Sequence, residues 1–570
     1  MKSFILPRFS YLALSLTGLM AATQPSKAQI TWVPLADNQG TPALTPNCPS
    51  PTNLQPYLKF DPPVMPPKTP VLAYKAWLRP GAAITGPVVT VANDEGVWGT
   101  GPELSSSGTI SYLPTLILRE GDATSTAIGA PTYGSGGTLA INNLQMSMRG
   151  DTIFQANLSS VGGKAALHDN CCLQIMAQSS GTTPLYADIR PPVIDWSGEN
   201  VSEWLFYTAA DNGISHFGYA AGTLPPCASF TENWLSHSPT MAASPGWGVF
   251  RPTPAPIGSP AIGFNGVTLY YAVDSIATPS KRPHLRVSLP MGTPQFVLNR
   301  SRDLVPATDL YYPSGRLGIY SPKLLCVADP SIAGLWGAWQ MSMMLYPTAV
   351  VEPSLWVQRS ISAAPECFVK RGIAAPGTGS TFFSFYEMQI VDDTAGSGAR
   401  WVFFGANPTS GARAIYVMTI QTASSSPLGP LTLIATEDVG FGTPLGIAPP
   451  FIGSSTTITT LQPWFSIDLR GNIAFLASST GLPAGSQQVL CTASGMTPNP
   501  VVRSQQGLPI ATLTSGSAVI RRFDLAKPDQ GVISRGQAIN GAGYFAARIL
   551  FRYAGSSGVV TNGEGIYLGN

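Results

Sequence analysis

Charge is what this sequence has least of. Asp, Glu, Lys and Arg make up 11% of its 570 residues, against roughly a quarter in an average soluble domain. The formal net charge is +2, and a chain so nearly neutral has no electrostatic reason to seek nucleic acid or anionic lipid. Histidine is scarce, with only His168, His216, His237 and His284. They lie far apart, which argues against a His-based metal centre, and solvated loops are the expected place for each. No C-x-x-C pair occurs, so the zinc patterns are absent. There is no G-x-S-x-G, no H-E-x-x-H and no G-x-x-x-x-G-K-[ST]; a Ser/His/Asp triad, which assembles in space, stays open. Helix-forming blocks of Ala, Glu, Lys and Leu are missing as well, which removes the long-helix architectures.

Glycine (58) and proline (53) are plentiful. At the start, Lys2 and Arg8 precede an uncharged apolar run from Ser10 to Ala22, and Ser26-Lys27-Ala28 follows. A positive start, a short apolar middle and small residues before the cut form the layout of a cleavable signal. The middle falls short of the about 20 residues that a helical span needs, and no later apolar run approaches that length. The expected organisation is a signal peptide over 1–28, cleaved after Ala28, and a single domain over 29–570, secreted or periplasmic and monomeric. Neither a lipid anchor at the cut nor a membrane tail after the terminal GIYLGN is expected. Cleavage lowers the Lys+Arg count from 32 to 29 against 30 acids, which leaves the mature chain near −1. The seven cysteines (Cys48, Cys171, Cys172, Cys227, Cys326, Cys367 and Cys491) would then meet an oxidising compartment. There some should form disulfides, and an odd number leaves at least one over.

The chain repeats. An apolar strand with an aromatic near its centre occurs at 71–78, 151–158, 203–210, 267–274, 338–345, 400–407, 472–479 and 543–550. From Tyr74 to Phe545 these eight copies are spaced by about 67 residues on average, long for a propeller blade. A second signal, a β-rich segment ending in a polar turn, follows most copies, at 116–125, 173–184, 295–303, 367–379, 431–440 and 500–509. The stretch 229–239 fits it poorly, and nothing after the eighth copy supplies it. The missing element stands at the other end, as ITWVPLADNQGTPA (30–43). A third segment fixes the phase: NDEGVWGTG (93–101) matches NGEGIYLGN (562–570). Short strands with Gly/Pro turns predict an all-β array. Ends that complement each other predict a closed β-propeller of eight four-stranded blades, the last completed by the N-terminal strand, because closure removes exposed edges. A β-solenoid or a row of sandwiches is the competing architecture.

These motifs also resemble a group of poorly characterised secreted bacterial repeat proteins with R-x-G-D and N-x-x-G-x-V-A-F type repeats. The resemblance rests on Arg119-Glu120-Gly121-Asp122, on Lys370-Arg371-Gly372 with Ala375-Pro376-Gly377, on Gly471-Asn472-Ile473-Ala474-Phe475, and on Glu564-Gly565-Ile566-Tyr567. It spans nearly all of the mature chain and is strongest in repeats one, two, six, seven and eight. It implies a propeller-like fold and export, and it brings no activity and no catalytic residues. Several of those relatives end in a sorting tail, and none is expected here.

Acids are the remaining candidates for chemistry, since paired carboxylates can hydrolyse glycosidic bonds. The pairs are Asp94/Glu95 and Asp392/Asp393; Asp37, Asp122 and Asp303 recur at one point of the repeat and should share one face, each satisfying its own backbone as turn acids do. No D-x-D-x-D-G loop supports calcium. Ser466-Ile467-Asp468 starts the turn motif of sialidase-type propellers, and Leu469-Arg470-Gly471 departs from it. Among 12 tryptophans, Trp77, Trp98, Trp204 and Trp401 fall in repeat strands and read as packing, whereas Trp196, Trp234 and Trp247 fall in irregular segments. The Pro/Ser-rich insertion at about 224–262 is the largest departure from the repeat, and such insertions often carry binding. The resulting expectation is a non-catalytic propeller binding an extracellular partner or glycan, with no cofactor, no metal and unknown site residues. The alternative is a propeller-type polysaccharide hydrolase or lyase.

Overall fold

The computed structural model describes residues 29–38 and, with interruptions at connecting segments, residues 57–570; from 188 to 351 it describes the strands alone, without their side chains. Residues 1–28, where the signal is expected, lie outside the described residues, as does most of the 224–262 insertion. Every described element is a β-strand, and all pairings are antiparallel. No helix of the described residues is long and apolar enough to cross a membrane.

The described strands form eight sheets, numbered here in chain order. Sheet 1 consists of Tyr57–Phe60, Ala73–Leu78, Glu95–Leu104 and Ile110–Arg119, and sheet 2 of Ile141–Met146, Thr152–Asn157, Lys164–Asp169 and Leu173–Gln178. Sheets 3, 4 and 5 are built around Ser202–Asp211, Thr268–Ser275 and Gly337–Leu345. Sheet 6 holds Ser380–Val391, Ala399–Pro408, Ala414–Gln421 and Leu431–Thr436; sheet 7 holds Ile458–Leu461, Asn472–Ser479, Gln488–Ser494 and Val501–Gln505. Sheet 8 holds Ala518–Asp524, Phe545–Ala554 and Val560–Gly569.

Its last strand comes from the other end of the chain. Trp32–Asp37 pairs with Val560–Gly569, with Trp32 opposite Gly569, Pro34 opposite Tyr567 and Asp37 opposite Gly565, and with an irregularity between Pro34 and Ala36. Proline has no ladder N–H to give, so an edge strand beside an irregularity is where it costs least. Each of the eight aromatic-centred segments falls on an interior strand of one sheet, the second of four once the two-residue strands Ala374–Ala375 and Pro509–Ile510 of sheets 6 and 8 are set aside. The stretch expected to fit poorly, 229–239, contains Thr231–His237, the last strand of sheet 3. Its Asn and Glu obscure the pattern in the sequence, but backbone pairing with Ile214–Thr223 does not depend on them.

The second strands read as nearly continuous apolar runs because both of their faces are covered. Asn472–Ser479, for instance, is buried at six of its eight positions. Leu35, Ile566 and Leu568 of sheet 8 pack on Tyr57, Phe60, Tyr74 and Trp98 of sheet 1. Sheet 1 meets sheet 2 through Val97 and Leu118 against Phe154 and Leu167. Further along, Leu355 and Phe368 of sheet 5 meet Phe404 and Tyr416 of sheet 6, and Trp401 and Val417 of sheet 6 meet Phe475 and Val489 of sheet 7. Leu476 and Leu490 of sheet 7 meet Ile520, Phe551 and Trp32 of sheet 8.

One turn recurs where the chain leaves a fourth strand. Gly121, Gly372 and Gly507 have φ of 85°, 86° and 92°, a region that a Cβ disfavours. Their N–H groups donate to Tyr133, Phe382 and Ile520 at 2.8 Å each, which hands the chain to the next sheet. Two of these turns are the R-E-G-D and K-R-G motifs. Cys367 and Cys491, two of the seven cysteines among which some disulfides were expected, are buried as free thiols in sheets 5 and 7; Cys326 ends a strand of sheet 5 whose side chains are not described, and Cys48, Cys171, Cys172 and Cys227 lie outside the described residues.

Candidate functional site

Polar side chains bridge the seams between consecutive sheets, several of them on or beside third strands. Glu95 opens the third strand of sheet 1, and its Oε2 accepts the Leu139 N–H at 2.8 Å, just before the first strand of sheet 2. Lys75 stands beside it on the second strand, with Nζ 2.8 Å from Glu95 Oε2 and donating to the Leu139 carbonyl at 2.6 Å. Acid and base together thus hold both polar groups of one residue. Sheet 6 does the same to sheet 7: Glu437 Oε1 accepts from Leu461 N–H at 2.6 Å while Arg413 Nη1 donates to Leu461 O at 2.6 Å. At the junction of sheets 7 and 8 one neutral residue suffices. Gln488 Oε1 accepts from Phe523 N–H at 2.7 Å and its Nε2 donates to Phe523 O at 3.2 Å. Between sheets 8 and 1, Glu564 Oε1 accepts from Phe60 N–H at 2.7 Å, with Arg548 Nη2 on its other oxygen at 2.6 Å.

Of the acids singled out in the sequence, Asp94 and Glu95 fall at the first of these clamps, and Glu120 joins them. The Glu120 backbone N–H donates to Glu95 O at 2.9 Å. The residue is 2% exposed, and among the described residues its Oε2 is buried without a hydrogen-bond partner. Burial, then the nearby Glu95 and Asp94 charges, push its carboxyl up to about 7; an acid held near neutrality is the type that catalysis uses. Burial and then Glu95 raise Asp94 as well. No group of three His, Cys, Asp or Glu side chains among the described residues could hold a metal ion.

The turn acids divide. Asp122 Oδ2 accepts the Arg119 N–H at 2.9 Å, the local role expected of it. Asp37 differs: it ends a strand, is 1% exposed, and accepts the Leu513 N–H at 2.9 Å across 476 positions of sequence. Asp303, Asp392 and Asp393 lie outside the described residues. Asp468 closes its own turn by accepting from Arg470 and Asn472 N–H at 2.8 Å each, and burial pushes its carboxyl up to about 6. Asn540 makes the same turn inside sheet 8, ahead of the strand Phe545–Ala554, accepting from the Ala542 and Tyr544 N–H groups.

Solvated loops are not where the histidines sit. His168 lies on Lys164–Asp169 with no exposed surface, and burial lowers its imidazole below the usual value. His216, His237 and His284 are also on strands, placed there by backbone pairing that four isolated residues do not reveal. Trp98 and Trp401 pack between sheets as expected. Trp204 is on Ser202–Asp211, and Trp234, expected in an irregular segment, is on Thr231–His237. Trp196 and Trp247 fall outside the described residues. Trp77 departs from the packing role: it is half-buried, and its ring is met by Lys59 Nζ at 3.9 Å and Lys75 Nζ at 4.5 Å from the centroid.

Sequence reading did not single out the clamps, Lys75 or Gln488, and it named Glu120 only within the R-E-G-D motif. A signal was available in the matched segments NDEGVWGTG and NGEGIYLGN, where Glu95 and Glu564 occupy the same place. The glycine after Glu564 has a reason too, since a Cβ on Gly565 would lie 2.5 Å from the Ala36 carbonyl.

No family model matches the chain, and no curated protein does. Among solved structures it is similar to a prolyl endopeptidase at 7% identity and a TM-score of 0.37, over 90% of this chain and 53% of that one, about half its length. It is similar to an α-L-arabinanase of Penicillium chrysogenum complexed with arabinobiose at 12% identity and a TM-score of 0.30, over 64% and 97% of the two chains. A Synechocystis apocarotenoid oxygenase matches at 8% identity and a TM-score of 0.28, over 89% and 91%. At these TM-scores none of the three bears on the chemistry of this chain.

Proposed function

We propose that the chain is an exported, closed propeller of eight blades that binds an extracellular partner or a glycan without transforming it. Closure draws support from the pairing of Trp32–Asp37 with Val560–Gly569 and from the cores that sheet 8 shares with sheets 7 and 1. Joining ends this far apart costs entropy that grows only logarithmically with length. The observation that carries the binding reading is the use to which the polar side chains are put. Glu95, Glu437, Gln488 and Glu564 hold neighbouring backbone, and Asp122, Asp468 and Asn540 build turns. A rigid scaffold with its polar groups so engaged suits presentation of a surface. The hydrolase or lyase reading draws on one observation, the Glu120 carboxyl raised to about 7 beside Glu95.

One experiment separates the two readings. The purified mature protein is applied to a glycan array and then incubated with a panel of soluble polysaccharides under product analysis. Binding without turnover is expected. Reproducible cleavage that disappears in Glu120→Gln would overturn the binding reading in favour of the enzymatic one.

A further inference from the structure

Trp77 is the one tryptophan of sheet 1 whose place the core does not explain. Alternation along Ala73–Leu78 sends Tyr74 and Ala76 into the core shared with sheet 8, and Lys75 and Trp77 to the opposite face. There the ring is half-buried, and Lys59, opposite it on the first strand, is exposed. Both Lys59 and Lys75 bring an ammonium within 4.5 Å of the ring centroid. Lys75 is fixed by its bonds to Glu95 and Leu139. Lys59 has no ion pair or hydrogen bond among those of the described residues and rests on the ring from the solvent side. Just past the first strand stands Asp61, half-buried, its N–H donating to Lys75 O at 2.9 Å and its carboxyl raised by burial.

We infer that the Trp77 ring, with Lys59 and Asp61 at its rim, is a binding site for a neutral sugar unit of a polysaccharide. A flat electron-rich ring attracts the polarised C–H face of a sugar as it attracts an ammonium, and the exposed Lys59 is the group that the sugar displaces. The displaced ammonium donates and the Asp61 carboxylate accepts, which is the pair of functions that vicinal hydroxyls require. The charges that act on these groups offset, Asp61, Asp94 and Glu95 against Lys59, Lys75 and Arg548, so the site has no surplus to recruit a uronate or an amino sugar. An apolar platform with a few polar groups at its edge is the ordinary construction of a small-ligand site. This assignment rests on the glycan-binding arm of the proposed function and gives it a place in the fold.

The test uses the full mature protein and four variants, Trp77→Phe, Trp77→Leu, Lys59→Gln and Asp61→Asn, with melting temperatures measured for each. Binding to immobilised glucan, xylan, galactan and mannan is compared with binding to polygalacturonate and chitosan. The expected result is binding to at least one neutral polymer, kept within about threefold in Trp77→Phe and lost by tenfold or more in Trp77→Leu at an unchanged melting temperature. Lys59→Gln and Asp61→Asn should weaken it without abolishing it. Neutral-polymer binding that persists in Trp77→Leu overturns this site while leaving the glycan-binding reading intact. Preference for the charged polymers overturns the assigned ligand class. No binding to any polymer overturns both the site and the glycan arm, leaving only a protein partner for the proposed function.

Discussion

If the inter-sheet clamps are equivalent devices, a Glu–Lys pair and a single Gln should be interchangeable. The perturbation is at Glu95. Glu95→Ala strips the Leu139 N–H of its acceptor and leaves Lys75 as a nearly buried charge, the pair being 8% and 11% exposed in its side chains. An unpartnered buried N–H costs about 1–3 kcal/mol, and breaking a buried ion pair from one side costs about 3–5 kcal/mol. The two overlap, because Lys75 keeps the Leu139 carbonyl, and about 4 kcal/mol is a reasonable sum. Unfolding entropy of roughly 2 cal/mol/K per residue makes each kcal/mol worth about 1 °C in so long a chain, so the melting temperature should fall by about 4 °C. The double variant Glu95→Gln/Lys75→Met should behave differently. Its glutamine can offer Oε1 to the Leu139 N–H and Nε2 to the Leu139 carbonyl, as Gln488 does for Phe523, and no charge is left behind. It should melt within about 1 °C of the wild type, with Glu95→Gln alone in between. Scanning calorimetry of the mature protein reads all three. A double variant as unstable as Glu95→Ala would refute the equivalence.

Three further outcomes are expected. Deleting residues 29–38 removes the partner of Val560–Gly569 and the Trp32 and Leu35 contacts; the truncated protein should melt lower as a whole and aggregate through the open edge, and light scattering with calorimetry showing an unchanged monomer would refute this. Glu120 has a folded-state pKa raised from 4.5 to about 7, so its folded form holds a proton that the unfolded chain releases. Stability should therefore fall as pH rises through that interval, by about 3 kcal/mol at most; Glu120→Gln should flatten the profile, and melting curves from pH 4 to pH 8 decide it. Cys491 is fully buried and its thiol is pushed far up by burial, so native protein should leave it unalkylated by iodoacetamide while denatured protein is labelled, as peptide mass mapping would show.

Much of the fold was legible because strand pattern is local. Phe154, Phe404 and Phe475 sit at the centres of second strands, and a strand covered on both faces must be apolar nearly throughout, so the eightfold recurrence survives in the sequence. The partner of Val560–Gly569 was legible for a similar reason: a repeat missing its fourth element at one end and carrying a spare at the other has one economical pairing. Thr231–His237 was not legible, since backbone hydrogen bonds hold a strand whose side chains obey no pattern. The fate of the polar residues was hidden further. Nothing in Glu95 or Glu437 distinguishes a catalytic carboxylate from one that grips a neighbouring backbone; only the tertiary structure places Leu139 and Leu461 within reach. His168 reads as a polar residue, yet its strand carries it into the interior. Trp77 reads as packing until alternation sends it to the face where Lys59 waits. Composition and periodicity are properties of the chain and determine which segments become strands. What a side chain touches across a seam between sheets depends on how those sheets are stacked, and no local pattern encodes that.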